Sequence, residues 1–145
     1  MPPRLASWLA VLALASPAAA QLSNIAGSGC PGSGFVATGG SVQVGQTLFL
    51  GYSCQSALEF PQLLTGVEIT PTNLPTSLTC GGSPCAVALQ VAGSVSAAPG
   101  QTAVLQLAIP NNPTLVGQCF AAQGACFNPS GCIELSVGLR FCLLP

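Results

Sequence analysis

The chain has 145 residues, half of them hydrophobic, and its charged side chains are only Arg4, Glu59, Glu68, Glu134 and Arg140; His, Asp and Lys are absent. So few cations cannot neutralise a run of phosphates, which excludes nucleic-acid binding and attraction to an anionic membrane through a basic patch. The hydrophobic content also separates the chain from disordered sequences, which combine low hydrophobicity with high net charge.

Residues 1–20 have three parts: a short head carrying Arg4, an apolar run from Leu5 to Ala15, and Ser16-Pro17-Ala18-Ala19-Ala20 before Gln21. That is the pattern of a removable secretory signal. The apolar run falls well short of the roughly 20 residues that a spanning helix needs. No Cys follows the cleavage point to carry a lipid anchor. The expectation is a secreted single β domain over residues 21–145, with no membrane anchor once the signal is removed.

Gly27, Gly29 and Gly32 then satisfy G-x-G-x-x-G, a pyrophosphate cradle only where a strand precedes it and a helix follows. Neither is expected here and Pro31 interrupts the motif, so it reads as a loop positioned by Cys30. Short strands are predicted at about Ser41 to Val44, Thr47 to Tyr52 and Leu63 to Ile69. Two clearer runs follow, Val87-Leu89-Val91 and Leu105-Leu107-Ile109, in which apolar residues recur at every second position as a half-buried strand requires. Ala98-Pro99-Gly100-Gln101 between them reads as a turn, and the pair as a hairpin. A last run puts Ile133, Leu135, Val137, Leu139 and Phe141 on one face, with Glu134, Ser136, Gly138 and Arg140 on the other. Helix periodicity is absent, and 13 Pro and 17 Gly punctuate the chain at short intervals. The predicted fold is all-β, a disulfide-stabilised antiparallel β-sandwich.

All eight cysteines, at 30, 54, 80, 85, 119, 126, 132 and 142, follow the signal. An even count in an exported chain points to disulfides. Cys126 and Cys132 flank the turn-rich Phe127-Asn128-Pro129-Ser130-Gly131 and are expected to pair. Cys119 and Cys142, farther out on the same flanking segments, form a nested bridge. The remaining four pair as Cys30–Cys85 and Cys54–Cys80, one choice among about a hundred connectivities. Four thiolates from Cys80, Cys85, Cys126 and Cys132 would be the zinc alternative, but their spacings and the oxidising compartment argue against it.

Catalytic readings lack parts. A Ser or Cys nucleophile needs a base near neutral pKa, and no His or Lys is present. Glycoside hydrolysis would need two of Glu59, Glu68 and Glu134 at a set separation. Tyr52 and the phenylalanines would have to serve as sugar platforms, because Trp8 lies in the signal. Calcium sites favour several carboxylates, and Asp is missing. Asn112-Pro113-Thr114 and Asn128-Pro129-Ser130 are barred from glycosylation by the central Pro and read as turns.

Fungal hydrophobins and plant lipid-transfer proteins share the cysteine count, but their Cys-Cys doublets are missing here. Gly27-Ser28-Gly29-Cys30, then Ile109-Pro110-Asn111-Asn112-Pro113-Thr114-Leu115-Val116-Gly117, Gln123 and Leu135-Ser136-Val137-Gly138-Leu139-Arg140 follow one another along the chain. In these segments the chain resembles a family of secreted bacterial β domains without an assigned activity, often the C-terminal module of larger exported proteins. Similar chains usually have Asn where Val137 stands. The resemblance implies a sandwich-like fold, export and no catalytic residue. Its members typically carry two cysteines, with Cys30 and Cys85 as the closest equivalents, which adds a reason to pair them.

The sequence is therefore read as a non-enzymatic, extracellular β module with a structural or interaction role and no cofactor. Its partner is unidentified, a cell-surface glycan or another secreted protein being the classes that polar side chains and free strand edges suit. The alternative is a carbohydrate-active protein using Tyr52 and the three Glu. A third reading, a carrier of an apolar ligand, follows from the hydrophobic content.

Overall fold

The computed structural model describes residues 22–145, so the signal read at residues 1–20 lies outside the described residues. Nine strands form two antiparallel sheets. In chain order they are β1 (Leu22–Ile25), β2 (Ala37–Gly40), β3 (Thr47–Ser53), β4 (Phe60–Asn73), β5 (Ala86–Ser96), β6 (Thr102–Ala108), β7 (Cys119–Phe127), β8 (Ile133–Leu135) and β9 (Gly138–Cys142). The larger sheet runs β1-β9-β7-β4-β5, with β8 also paired to β7; the smaller runs β2-β3-β6. The fold is the all-β sandwich expected from the sequence.

Alternation places the core between the sheets. Leu48, Leu50 and Tyr52 of β3 and Ala103 of β6 point inward, while Phe49 and Val104 point outward. They pack on Leu63, Ala122, Cys126, Leu139 and Phe141 of the larger sheet. The other face of β7 is buried as well, because the start of β5 and the residue before it reach across: Ala88 packs with Ala121, and Cys85 with Ala125. Two irregularities of β4 against β5, at Thr65/Gly66 and between Glu68 and Thr72, interrupt the regular pairing of these two long strands. Pro71, which cannot donate to a ladder, falls in the second.

Several sequence expectations are corrected. Ser41 to Val44 is not a strand; the strand lies earlier, at Ala37–Gly40, on an exposed sheet edge where no burial alternation marks it. The Ala98 to Gln101 turn forms, closed by the Gln101 N–H to the Ala98 carbonyl at 3.1 Å, but its flanking strands do not make a hairpin. Instead β5 pairs with β4 and β6 with β3, so the turn carries the chain from one sheet to the other. The run from Ile133 to Phe141 is two strands. Against β7 the pairing passes from Ala125↔Leu135 to Ala122↔Leu139, so Ser136, Val137 and Gly138 oppose only Gln123 and Gly124. One extra residue resets which side chains face inward.

Four disulfides join Cys30–Cys85, Cys54–Cys126, Cys80–Cys132 and Cys119–Cys142. The expected Cys126–Cys132 and Cys54–Cys80 bridges are replaced. In the β7–β8 hairpin Cys126 lies opposite Glu134, not Cys132, and packs into the core between the sheets, where Cys54 at the end of β3 meets it. Cys132 sits at the hairpin mouth and takes Cys80 from the neighbouring 3-10 turn, Cys80–Gly82. That turn is held against β8 by the Ile133 N–H donating to the Leu78 carbonyl at 2.8 Å.

Candidate functional site

Among the described residues the charged side chains separate into two places. Glu68 on β4 and Arg140 on β9 form a two-pronged ion pair across the sheet, Arg140 donating through Nε and Nη2 to the two carboxylate oxygens. Hydrogen bonding from Arg140, then its charge, holds the Glu68 carboxyl below its ordinary range. Both side chains remain partly in water, 46% exposed for Arg140 and 26% for Glu68. A pair so placed is screened by solvent and contributes little to stability. It lies in an open depression with Asn24, Ile25, Thr70 and Pro71.

Away from that pair, Tyr52, Glu59 and Glu134 come together around the Cys54–Cys126 bridge. Tyr52 ends the inward-facing series of β3 and is buried; a Cβ on Gly124 would lie 2.2 Å from its ring, so only glycine leaves room for it. Burial, then the negative charges of Glu134 and Glu59, push the phenol up to about 12. Glu59 is itself buried, 8% exposed. The ring is thus a core side chain and not an open sugar platform.

The direction of this shift fixes an alkaline response. The unfolded chain releases the phenolic proton near its ordinary value of 10, the folded protein near 12, so stability from the neutral phenol is whole below about pH 10 and falls between about 10 and 12. Tyr52 is the chain's one tyrosine, which makes its absorbance titration unambiguous. The native protein should titrate near 12 and the denatured protein near 10. A native midpoint near 10 would contradict the burial of the ring.

A carboxylate oxygen of Glu59 and the sulfurs of Cys54 and Cys126 lie within 4.8 Å of one another. The two sulfurs are bonded to each other, which leaves no thiolate to bind a metal ion. Cys80, Cys85, Cys126 and Cys132, the zinc set considered from sequence, enter three different bridges.

The glycine motif at Gly27, Gly29 and Gly32 lies in a loop, with all three at positive φ. Gly29 exchanges hydrogen bonds with Ala86, tying the loop to β5. Asn112-Pro113-Thr114 and Asn128-Pro129-Ser130 fold alike. In each the Asn Oδ1 accepts from the backbone N–H and the hydroxyl of the residue two positions on, at distances from 2.8 to 3.0 Å.

Two apolar features were not singled out from the sequence. The outer face of the smaller sheet exposes Phe49 and Val104, 43% and 53% accessible, beside the small Gly39 and Gly51. Between the sheets, a slot of about 240 Å³ runs under β6, lined by Leu105, Leu107, Ile109, Phe120, Phe141 and Leu143. The signal that could have located it is the smallness of Gly66 and Ala92 opposite two leucines. No protein-family model, curated protein or solved structure matches this chain.

Proposed function

We infer that the protein is a secreted, non-enzymatic β module that acts by contact with another secreted protein, after removal of residues 1–20. The observation that carries this reading is the pairing of all eight cysteines in a fold whose remaining ionisable groups form no nucleophile and base. Four disulfides with no free cysteine suit an oxidising, extracellular setting. Among the described residues no helix is long and apolar enough to cross a membrane.

The contact surface is the outer face of the smaller sheet, where Phe49 and Val104 stand beside the free edges of β2 and β6. Exposed apolar side chains beside unpaired backbone donors and acceptors fit a protein partner. The test uses residues 21–145, purified and immobilised, with secreted proteins and cell-wall polysaccharides of the producing culture passed over them. A secreted protein should be retained with little salt dependence, and Phe49→Gln should weaken the retention. Retention of polysaccharide alone would replace the protein partner by a glycan. Hydrolysis of that polysaccharide, lost on Glu59→Gln or Glu134→Gln, would overturn the non-enzymatic reading.

A further inference from the structure

The slot between the sheets has a construction that the proposed contact surface does not explain. Its roof is β6, whose Leu105 and Leu107 face the larger sheet but stay only partly covered. Its wall is the stacked pair Phe120 and Phe141, with ring centroids 5.7 Å apart. Its floor is the irregularity where Gly66 of β4 meets β5. A Cβ at Gly66 would lie 1.8 Å from the Gln90 carbonyl oxygen, so no side chain can grow from that position to fill the space. At this floor the slot is bounded by paired backbone, Gly66 lying opposite Val91 of β5 and Ala121 of β7.

Its chemistry is one-sided. No charged side chain lines the slot, and its one side-chain hydroxyl, on Thr65, already donates to the Gly93 carbonyl at 3.3 Å. Water held in a cavity needs about two to four polar partners, which this lining does not supply. Dry cavities of about 150 Å³ lined by Leu, Ile and Phe accept benzene, and this one is larger, at about 240 Å³. It also has an entrance, because Ala92, Ala108 and Pro110 line it and are solvent-exposed.

We propose that this slot is a binding site for a small uncharged apolar molecule, with a ring system or short alkyl chain lying between Leu107 and the Phe120–Phe141 pair. A charged head is not part of the ligand's recognition, since the ion pair of Arg140 and Glu68 is not among the slot's lining groups. The proposal is independent of the protein partner above, and either can fail without the other.

The test titrates the purified protein, residues 21–145, with the uncharged probe N-phenyl-1-naphthylamine, following its fluorescence and the backbone amide NMR shifts. Saturable binding of one probe per protein is expected, with shifts centred on Leu105, Leu107, Phe120 and Phe141. Ala92→Phe changes an exposed position at the entrance and should weaken binding about tenfold or more. Leu107→Phe, which fills the slot from the roof, should do the same, and the NMR spectrum of each variant establishes that it is folded. Binding that does not saturate, that is unchanged in both folded variants, or that shifts the Phe49 and Val104 face instead would overturn the site. Equal affinity for an anionic analogue, 1-anilinonaphthalene-8-sulfonate, would overturn the uncharged class.

Discussion

Gln123→Leu should destabilise the protein by about 2–6 kcal/mol in denaturant unfolding with the disulfides intact, although the two side chains have similar volume. Gln123 is fully buried on β7. Its Oε1 accepts from the Ala88 N–H at 3.0 Å, and its Nε2 donates to the carbonyls of Ala86 and Ser136 at 3.0 and 2.9 Å. Only this orientation of the amide works, because neither carbonyl can donate. The side chain thus does for the crossing end of β5 what a neighbouring strand would otherwise do. Leucine leaves the Ala88 N–H and the Ser136 carbonyl without these partners, each orphaned group costing about 1–3 kcal/mol, while the Ala86 carbonyl keeps its bond from Gly29. Against a typical domain stability of about 5–15 kcal/mol this is a large fraction. A loss below about 1 kcal/mol would mean that water reaches these groups and that the crossing of β5 over β7 is loose.

The second large effect concerns the Cys54–Cys126 bridge. Its partners are 72 residues apart, against 23 for Cys119–Cys142. On the chain-entropy account, replacing both partners by Ser should cost about 4 kcal/mol for the longer loop and about 3 for the shorter. The buried site at Cys126 adds to the difference, since Cys126 packs in the central core while Cys119 is exposed. Connectivity is checked on the same samples by peptic digestion without reduction, trypsin being of little use with one Arg beyond residue 21. Peptides joining Cys54 to Cys126 and Cys80 to Cys132 are expected. Peptides joining Cys54 to Cys80 and Cys126 to Cys132 would contradict the arrangement.

Strands buried on one face were legible in the sequence. β3 and β6 alternate in the chain and alternate in the sandwich, and their predicted ends differ from the observed ones by a few residues at most. β7 was not legible, because Ala121 to Cys126 are all buried and a strand covered on both faces carries no alternation. The pairing of β5 and β6 with different sheets was hidden too, since a turn signal reports that the chain reverses and not which strands lie beside it afterwards. The same limit explains the cysteines. A short spacing suggested Cys126–Cys132, but pairing depends on which way each sulfur faces, and that follows from register. Of the candidate contacts, Tyr52 and Glu59 were legible as residue types, while their burial depended on Gly124 and on the neighbouring bridge.

The order of the bridges along the chain has its own consequence. The spans 30–85, 54–126, 80–132 and 119–142 overlap in succession, so every peptide bond from Cys30 to Cys142 lies inside at least one closed loop. A protease that cuts once anywhere in this stretch releases no fragment. Both pieces stay tethered by sulfur, and a nicked molecule, heavier only by the water that hydrolysis adds, keeps the covalent means to hold its shape.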